Sequence, residues 1–360
     1  MRSVLFLLFI LAGLTPVAAQ SFFDLLYGAE IGDVRAVEIT LPLDSLDAET
    51  PSDMPGTLVF TDSTGAQRHL GVDVSLRGKF RRSRCSTPPL KLNFSKKELT
   101  GMGLAKHDKY KLVNTCYGDS AAVSLLLKEY LAYRAYALLS PAAHYRAQLL
   151  QLTFRDAAGQ QADRVQYAML LEDTDEMAER LGAVELDDAD GLDAARYDPA
   201  AEATHALFQY LIGNADWSLA LQRNVKIIKR PDGKLVPVGY DFDFSGWVGA
   251  PYASPSPQSG QQSIYHRVYL GYHQSERTLR EVIQEYRKHR RELYGMINGF
   301  DLLNKRDRTI TFRFVNLFYD ALSEMGSNTG VLLYDQLRGE TASVIPPGSM
   351  ERHYRSSTRR

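Results

Sequence analysis

The sequence predicts an α+β fold in two lobes: a sheet-rich first half with one long helix, and a mainly helical second half that carries a hairpin. Three observations lead there. Apolar and polar residues alternate at period two around Val34, Ala36, Glu38 and Thr40, and again through Val72-Asp73-Val74-Ser75-Leu76, the signature of half-buried strands. A run from Ser120 to Leu139 repeats Val123, Leu126, Leu127, Tyr130, Leu131 and Arg134 at helical spacing. Beyond about residue 173 helical patterning dominates, so the expected units are residues 20–172 and 173–345.

The elements follow in order. From Asp33 to Phe94 the chain reads as strands, with Asp62-Ser63-Thr64-Gly65 turning between two of them, and an antiparallel meander is the simplest arrangement. Leu90 to Phe94 follows Pro88-Pro89 as a further strand, and Tyr110 to Val113 as another. Asp119 or Ser120 caps the long helix, which Ser140-Pro141 stops. Strands resume at Gln148 to Phe154 and Val165 to Leu171. Glu172 to Leu181 reads as a short helix, and the acidic stretch from Glu185 to Asp198 as a solvated loop or partly ordered insertion. A helix from Ala200 to Ile212 ends at Gly213-Asn214, a C-terminal stop signal. A hairpin then pairs Asn224 to Arg230 with Lys234 to Tyr240 across Pro231-Asp232-Gly233. Ala250 to Ser263 is an extended loop, Glu276 to Ile297 and Arg313 to Glu324 are helices, and the polar tail 346–360 is expected to be disordered.

Charge removes some function classes. The 42 basic and 43 acidic residues leave a formal net charge of -1, so no global field recruits nucleic acid or an anionic membrane. Met1 and Arg2, the apolar run Val4 to Leu14 and the small residues Pro16-Val17-Ala18-Ala19 read as a signal peptide over residues 1–19. That apolar run is shorter than the ~20 residues of a membrane-spanning helix, so no stable span is expected after cleavage. The mature protein is then secreted or periplasmic, where Cys85 and Cys116 can form a disulfide; the alternative is two buried thiols.

The chemistry concentrates in Asn214-Ala215-Asp216-Trp217, Asn224 and Tyr240-Asp241-Phe242-Asp243. A hairpin returns the chain to its starting point, so a carboxylate after a helix, an amide at the hairpin's entry and a carboxylate at its exit can converge. Phosphoryl transfer needs such a set: one carboxylate for the acceptor hydroxyl, and an amide oxygen with a second carboxylate for Mg²⁺. Two acids flanking Phe242, just after an apolar strand, also call for a compensating cation. For the phosphates, Lys91 lies within an apolar strand and Lys111 is its rival; Glu129 is the acid on the long helix that could position such a lysine. The basic run Arg77-Gly78-Lys79-Phe80-Arg81-Arg82 suits phosphate contact. Neither a G-x-G-x-x-G loop nor a P-loop is present.

In this order, Arg77-Gly78, Leu90-Lys91-Leu92, the helix after Asp119-Ser120, Leu170-Leu171-Glu172, Asn214-Ala215-Asp216, Asn224 and Tyr240-Asp241-Phe242-Asp243 are similar to CotH-type spore-coat kinases, atypical secretory kinases. The resemblance covers about residues 70 to 250. It implies a two-lobed protein-kinase-like fold, ATP or a related nucleotide with Mg²⁺ or Mn²⁺ as cofactors, and a protein or other hydroxyl-bearing acceptor. It casts Asp216 as the catalytic aspartate, Asn224, Asp241 and Asp243 as metal-binding, and Lys91, Arg77, Glu129 and Glu172 as cofactor-binding. Arg223 stands where the family often has His, and Arg77-Gly78-Lys79-Phe80-Arg81 where it has Arg-Gly-Asn-Ser-Ser. Two other readings compete: a non-catalytic pseudokinase scaffold, and a metal-dependent hydrolase using Asp216, Asp241 and Asp243.

Overall fold

The computed structural model describes residues 19–46, 53–62, 64–78, 85, 89–116, 118–328 and 330–339. The expected signal peptide apart from Ala19, the basic residues Lys79, Arg81 and Arg82, and the polar tail lie outside the described residues.

Among the described residues, seven strands occupy the first half: β1 (Val34–Leu41), β2 (Met54–Thr61), β3 (Gln67–Leu76), β4 (Leu90–Phe94), β5 (Lys109–Asn114), β6 (Ala147–Asp156) and β7 (Arg164–Leu171). They do not form the open antiparallel sheet of a kinase-like lobe. They close into a barrel in the order β1-β2-β3-β4-β5-β7-β6. This overturns the expectation of a two-lobed protein-kinase-like fold. The closing seam is parallel, running from Val34 opposite Leu149 to Leu41 opposite Asp156. A meander is built from hairpins between neighbours in sequence, whereas this seam joins strands separated in sequence by four others. Neither strand's own alternation marks that partner, because a strand pairing forward or backward buries the same face.

The helices are α1 (Phe22–Leu26), α2 (Leu43–Leu46), α3 (Lys96–Gly101), α4 (Ser120–Leu139), α5 (Thr174–Arg180), α6 (Pro199–Ile212), α7 (Glu276–Gly299), α8 (Lys305–Ser327) and α9 (Leu333–Arg338). A three-stranded sheet joins β8 (Val184–Glu185), β9 (Val225–Lys229) and β10 (Leu235–Gly239) in the order β10-β9-β8. The acidic stretch is therefore tied down: Glu185 pairs with Ile228, and Ala189 and Tyr197 are buried.

Two hydrophobic cores result. Alternate residues such as Leu58, Val72, Leu92, Leu112, Leu152 and Leu170 fill the barrel. Their outward neighbours Val113, Leu149, Met169 and Leu171 join α4, α6, α7 and α8 in a second core. α4 is apolar nearly all round, as a helix buried on every side must be, and Asp119 caps it by accepting from the Ala122 N–H at 2.8 Å.

α1 fills one end of the barrel. Ser21 and Asp24 form a reciprocal capping box that starts this short helix. Phe22 is fully buried, with ring centroids 4.6 Å from Phe94, 5.2 Å from Tyr110 and 5.5 Å from Phe60. The Ser21 hydroxyl donates to Glu176 of α5 at 2.6 Å, and Arg146 bridges Asp24, Glu172 and Glu176. Cys85 and Cys116 are bridged, with Cα atoms 4.5 Å apart, which joins the approach to β4 with the exit of β5.

Phe22→Ala should lower stability by about 3–5 kcal/mol, the range for deleting a buried phenyl ring. Urea unfolding followed by tyrosine fluorescence measures it. An unchanged midpoint would mean that α1 is not part of the barrel core.

Candidate functional site

Helix α6 delivers the first functional residue. Asp198 caps its start, and Gly213 ends it at φ 65°, a left-handed turn that glycine adopts without strain. A Cβ at Gly213 would also stand 3.0 Å from the Phe314 ring, so the chain must leave the helix here on glycine. Asn214 then fixes the exit: its side chain donates to Gln209 at 2.9 Å and accepts from the Asp216 N–H at 2.9 Å.

A tight loop brings the next residue back. Ser218 and Arg223 exchange backbone hydrogen bonds of 3.0 Å each way, which returns Asn224 to Asp216. The Asn224 amide donates to the Asp216 carbonyl at 2.7 Å and to its carboxylate Oδ2 at 3.0 Å. Both contacts use Nδ2, so Oδ1 is the amide's outward acceptor. β9 and β10 then pair in register from Val225 opposite Gly239 to Lys229 opposite Leu235. The Tyr240 N–H donates to the Asn224 carbonyl at 3.1 Å, so Asp241 emerges beside the hairpin's entry. The hairpin thus returns the backbone of Asp241 to the stretch that carries Asn224, and Asn224 contacts Asp216.

Backbone geometry marks the same place. Among the described residues, the non-glycine positions with positive φ are Gln222 at 45°, Asn224 at 53° and Asp241 at 62°. Asn and Asp tolerate this region better than other residues, yet it remains unfavourable, and such strain collects where a site dictates side-chain direction. The Asp241 N–H is held by the Tyr133 hydroxyl of α4 at 2.8 Å.

Burial raises the Asp216 carboxyl above its ordinary range; Arg223, 3.5 Å away, opposes this and the charge of Asp241 adds to it. Lys111 supplies the opposite charge. Burial pushes its ammonium down to about 8, helped by Arg77 and opposed by Asp241. Its Nζ sits 4.0 Å from the centre of the Tyr240 ring and 5.7 Å from that of Tyr145. Lys226 lies on the same side and pairs with Glu185 at 2.5 Å. Two carboxylates, an amide oxygen, Lys111 and Arg77 therefore share one electrostatic neighbourhood.

The remaining sequence-predicted residues fall in three places. Lys91 is the direct cross-strand partner of Lys111, on the outer face of the barrel beside the site. Asp243 and Glu129 are buried together, lining a small, roughly water-sized cavity of about 10 Å³ with Asn114, Leu126 and Tyr252; Tyr252 donates to Asp243 at 3.0 Å. Neither Asp216, Asn224 nor Asp241 lines that cavity. Glu172 belongs to the cluster at the barrel end, where Arg146 and Arg180 each donate to it at 2.8 Å. Tyr133 is the residue that sequence reasoning missed. Its position one helical turn after Glu129 puts both on the same face of α4, but no sequence signal ties its hydroxyl to residue 241.

The donor set at Asp216, Asn224 and Asp241 is all oxygen, which suits a hard cation such as Mg²⁺ or Mn²⁺. Among the described residues no group of three or more His, Cys, Asp or Glu side chains is placed to hold a metal ion. One or two carboxylates plus an amide is the protein's usual share of a magnesium site whose other ligands are water and phosphate. Among the described residues, no helix is long and apolar enough to cross a membrane. No model of a known protein family matches the chain, and no curated protein does.

Lys111 carries its charge below about 8 and loses it above. Affinity for a phosphate-bearing anion that contacts Lys111 should therefore fall as the pH rises through that value, and Lys111→Met should bind it more weakly with no such step. Isothermal titration across this window measures both, and an identical pH profile for the two proteins would remove Lys111 from the site.

Proposed function

We propose that this chain is an exported phosphotransferase whose site resembles that of the CotH-type kinases, transferring a phosphoryl group from ATP or a related nucleotide to a hydroxyl of a protein or other acceptor. The observation that carries the reading is the convergence of Asp216, Asn224 and Asp241, with Asn224 and Asp241 both held in left-handed backbone conformations. It rests on the site, since the barrel scaffold argues nothing about activity. The bridged cysteines fit an oxidising compartment, and the expected signal peptide supports export.

The roles follow from the chemistry of each group. Asn224 Oδ1 and the Asp241 carboxylate would hold Mg²⁺ or Mn²⁺, which when bound neutralises charge on the phosphates. Lys111 and Arg77 supply positive charge to the phosphate oxygens from the barrel side. Asp216 orients the acceptor hydroxyl and takes its proton; a carboxyl raised by burial is a better proton acceptor than one in water. Arg223 sits against Asp216 and limits that rise.

Two variants should fail differently. Asp241→Ala should abolish metal-dependent nucleotide binding and turnover together. Asp216→Ala should leave binding largely intact while transfer drops by ~10² or more, the scale of a lost general base. Thermal shifts with nucleotide and Mg²⁺ or Mn²⁺ report binding by mass action, and phosphate transfer to generic protein acceptors reports turnover. Parent protein that hydrolyses phosphoesters without nucleotide would replace this reading with a hydrolase. Binding without turnover on any acceptor would replace it with a scaffold.

A further inference from the structure

We propose that Tyr133 is a positioning residue for Asp241: its hydroxyl, presented from the buried face of α4, fixes the left-handed peptide that aims the Asp241 carboxylate at the cation. The inference rests on the assignment of Asp241 to the cation and extends the site to a helix some hundred residues earlier in the chain.

The geometry is specific to this residue. The Asp241 N–H donates to the Tyr133 hydroxyl at 2.8 Å, and Asp241 has φ 62°. Tyr133 is 1% exposed, and its ring packs on Phe242 with centroids 4.7 Å apart, so the phenol is held on both sides of the hydrogen bond.

α4 grips the same segment elsewhere. The Gly239 N–H donates to the Tyr136 hydroxyl at 3.4 Å, the Trp247 indole to the Lys128 carbonyl at 2.9 Å, and the Lys128 ammonium to the Val248 carbonyl. Those contacts hold the backbone on either side of Asp241. The Tyr133 contact falls on the peptide that sets the direction of the Asp241 side chain. A buried N–H that loses its acceptor seeks another, and the strained φ relaxes with it.

Tyr133→Phe removes one oxygen and keeps the ring against Phe242; Tyr136→Phe removes a hydroxyl from the same helix without touching residue 241. Mn²⁺ alone, titrated by electron paramagnetic resonance, is the probe, and melting curves verify that both variants fold. Y133F should bind Mn²⁺ at least ~10-fold more weakly than the parent, the scale for losing an outer partner of a metal ligand, while Y136F should match the parent. Equal Mn²⁺ affinity of Y133F and the parent overturns the inference alone. Equal affinity of the parent and Asp241→Ala overturns the cation assignment and the inference together. A similar loss in Y133F and Y136F overturns it too, because the effect would then be general loosening of α4.

Discussion

Burial of α4 on every side is the constraint on which the rest of the molecule depends. Its residues pack against the outer face of β6 and β7 and against α6 and α7, so the helix is the shared wall between the barrel and the helical core. A helix buried all round has no slack for rotation, because interiors are packed at crystal-like density. Its side-chain hydroxyls can therefore act as fixed reference points. Tyr133 and Tyr136 both do so, each accepting from a backbone N–H of the strand exit at Gly239 and Asp241.

From that wall the site follows in two steps. Phe242 is fully buried against Tyr133, Tyr136 and Phe208, which forces the residues on either side of it toward different surroundings. Asp241 lies close enough for its charge to act on Asp216 and Lys111, whereas Asp243 turns into the cavity with Glu129. The acid-x-acid pattern thus separates two carboxylates that the sequence alone places in one metal site. Lys111 and Arg77 reach this neighbourhood from the barrel wall, on β5 and after β3.

Local signals were readable because they depend on nearest neighbours. Gly213 stops helix α6, Pro231-Asp232-Gly233 turns the hairpin, and the period-two runs are strands. The barrel was not readable: its closing seam pairs β1 with β6, and burying one face of a strand says nothing about which strand lies beside it. The same limit applies to the lysines. Lys91 and Lys111 both alternate outward from apolar strands and face each other across β4 and β5. Only the third dimension reveals that the rings of Tyr145 and Tyr240 close over Lys111. Glu172 illustrates the converse, since its sequence position after β7 gives no hint of the two arginines that engage it.

On the proposed function, Asn224 and Asp241, steered by Tyr133, would hold the cation of a phosphoryl-transfer site next to Asp216. A crystal structure with Mn²⁺ and a non-hydrolysable ATP analogue, read by anomalous scattering at the manganese edge, tests it most directly. The account predicts a manganese peak bonded to Asn224 Oδ1 and the Asp241 carboxylate, with the phosphates reaching toward Lys111 and Arg77. A manganese peak in the cavity between Glu129 and Asp243, with none at Asp241, would contradict it.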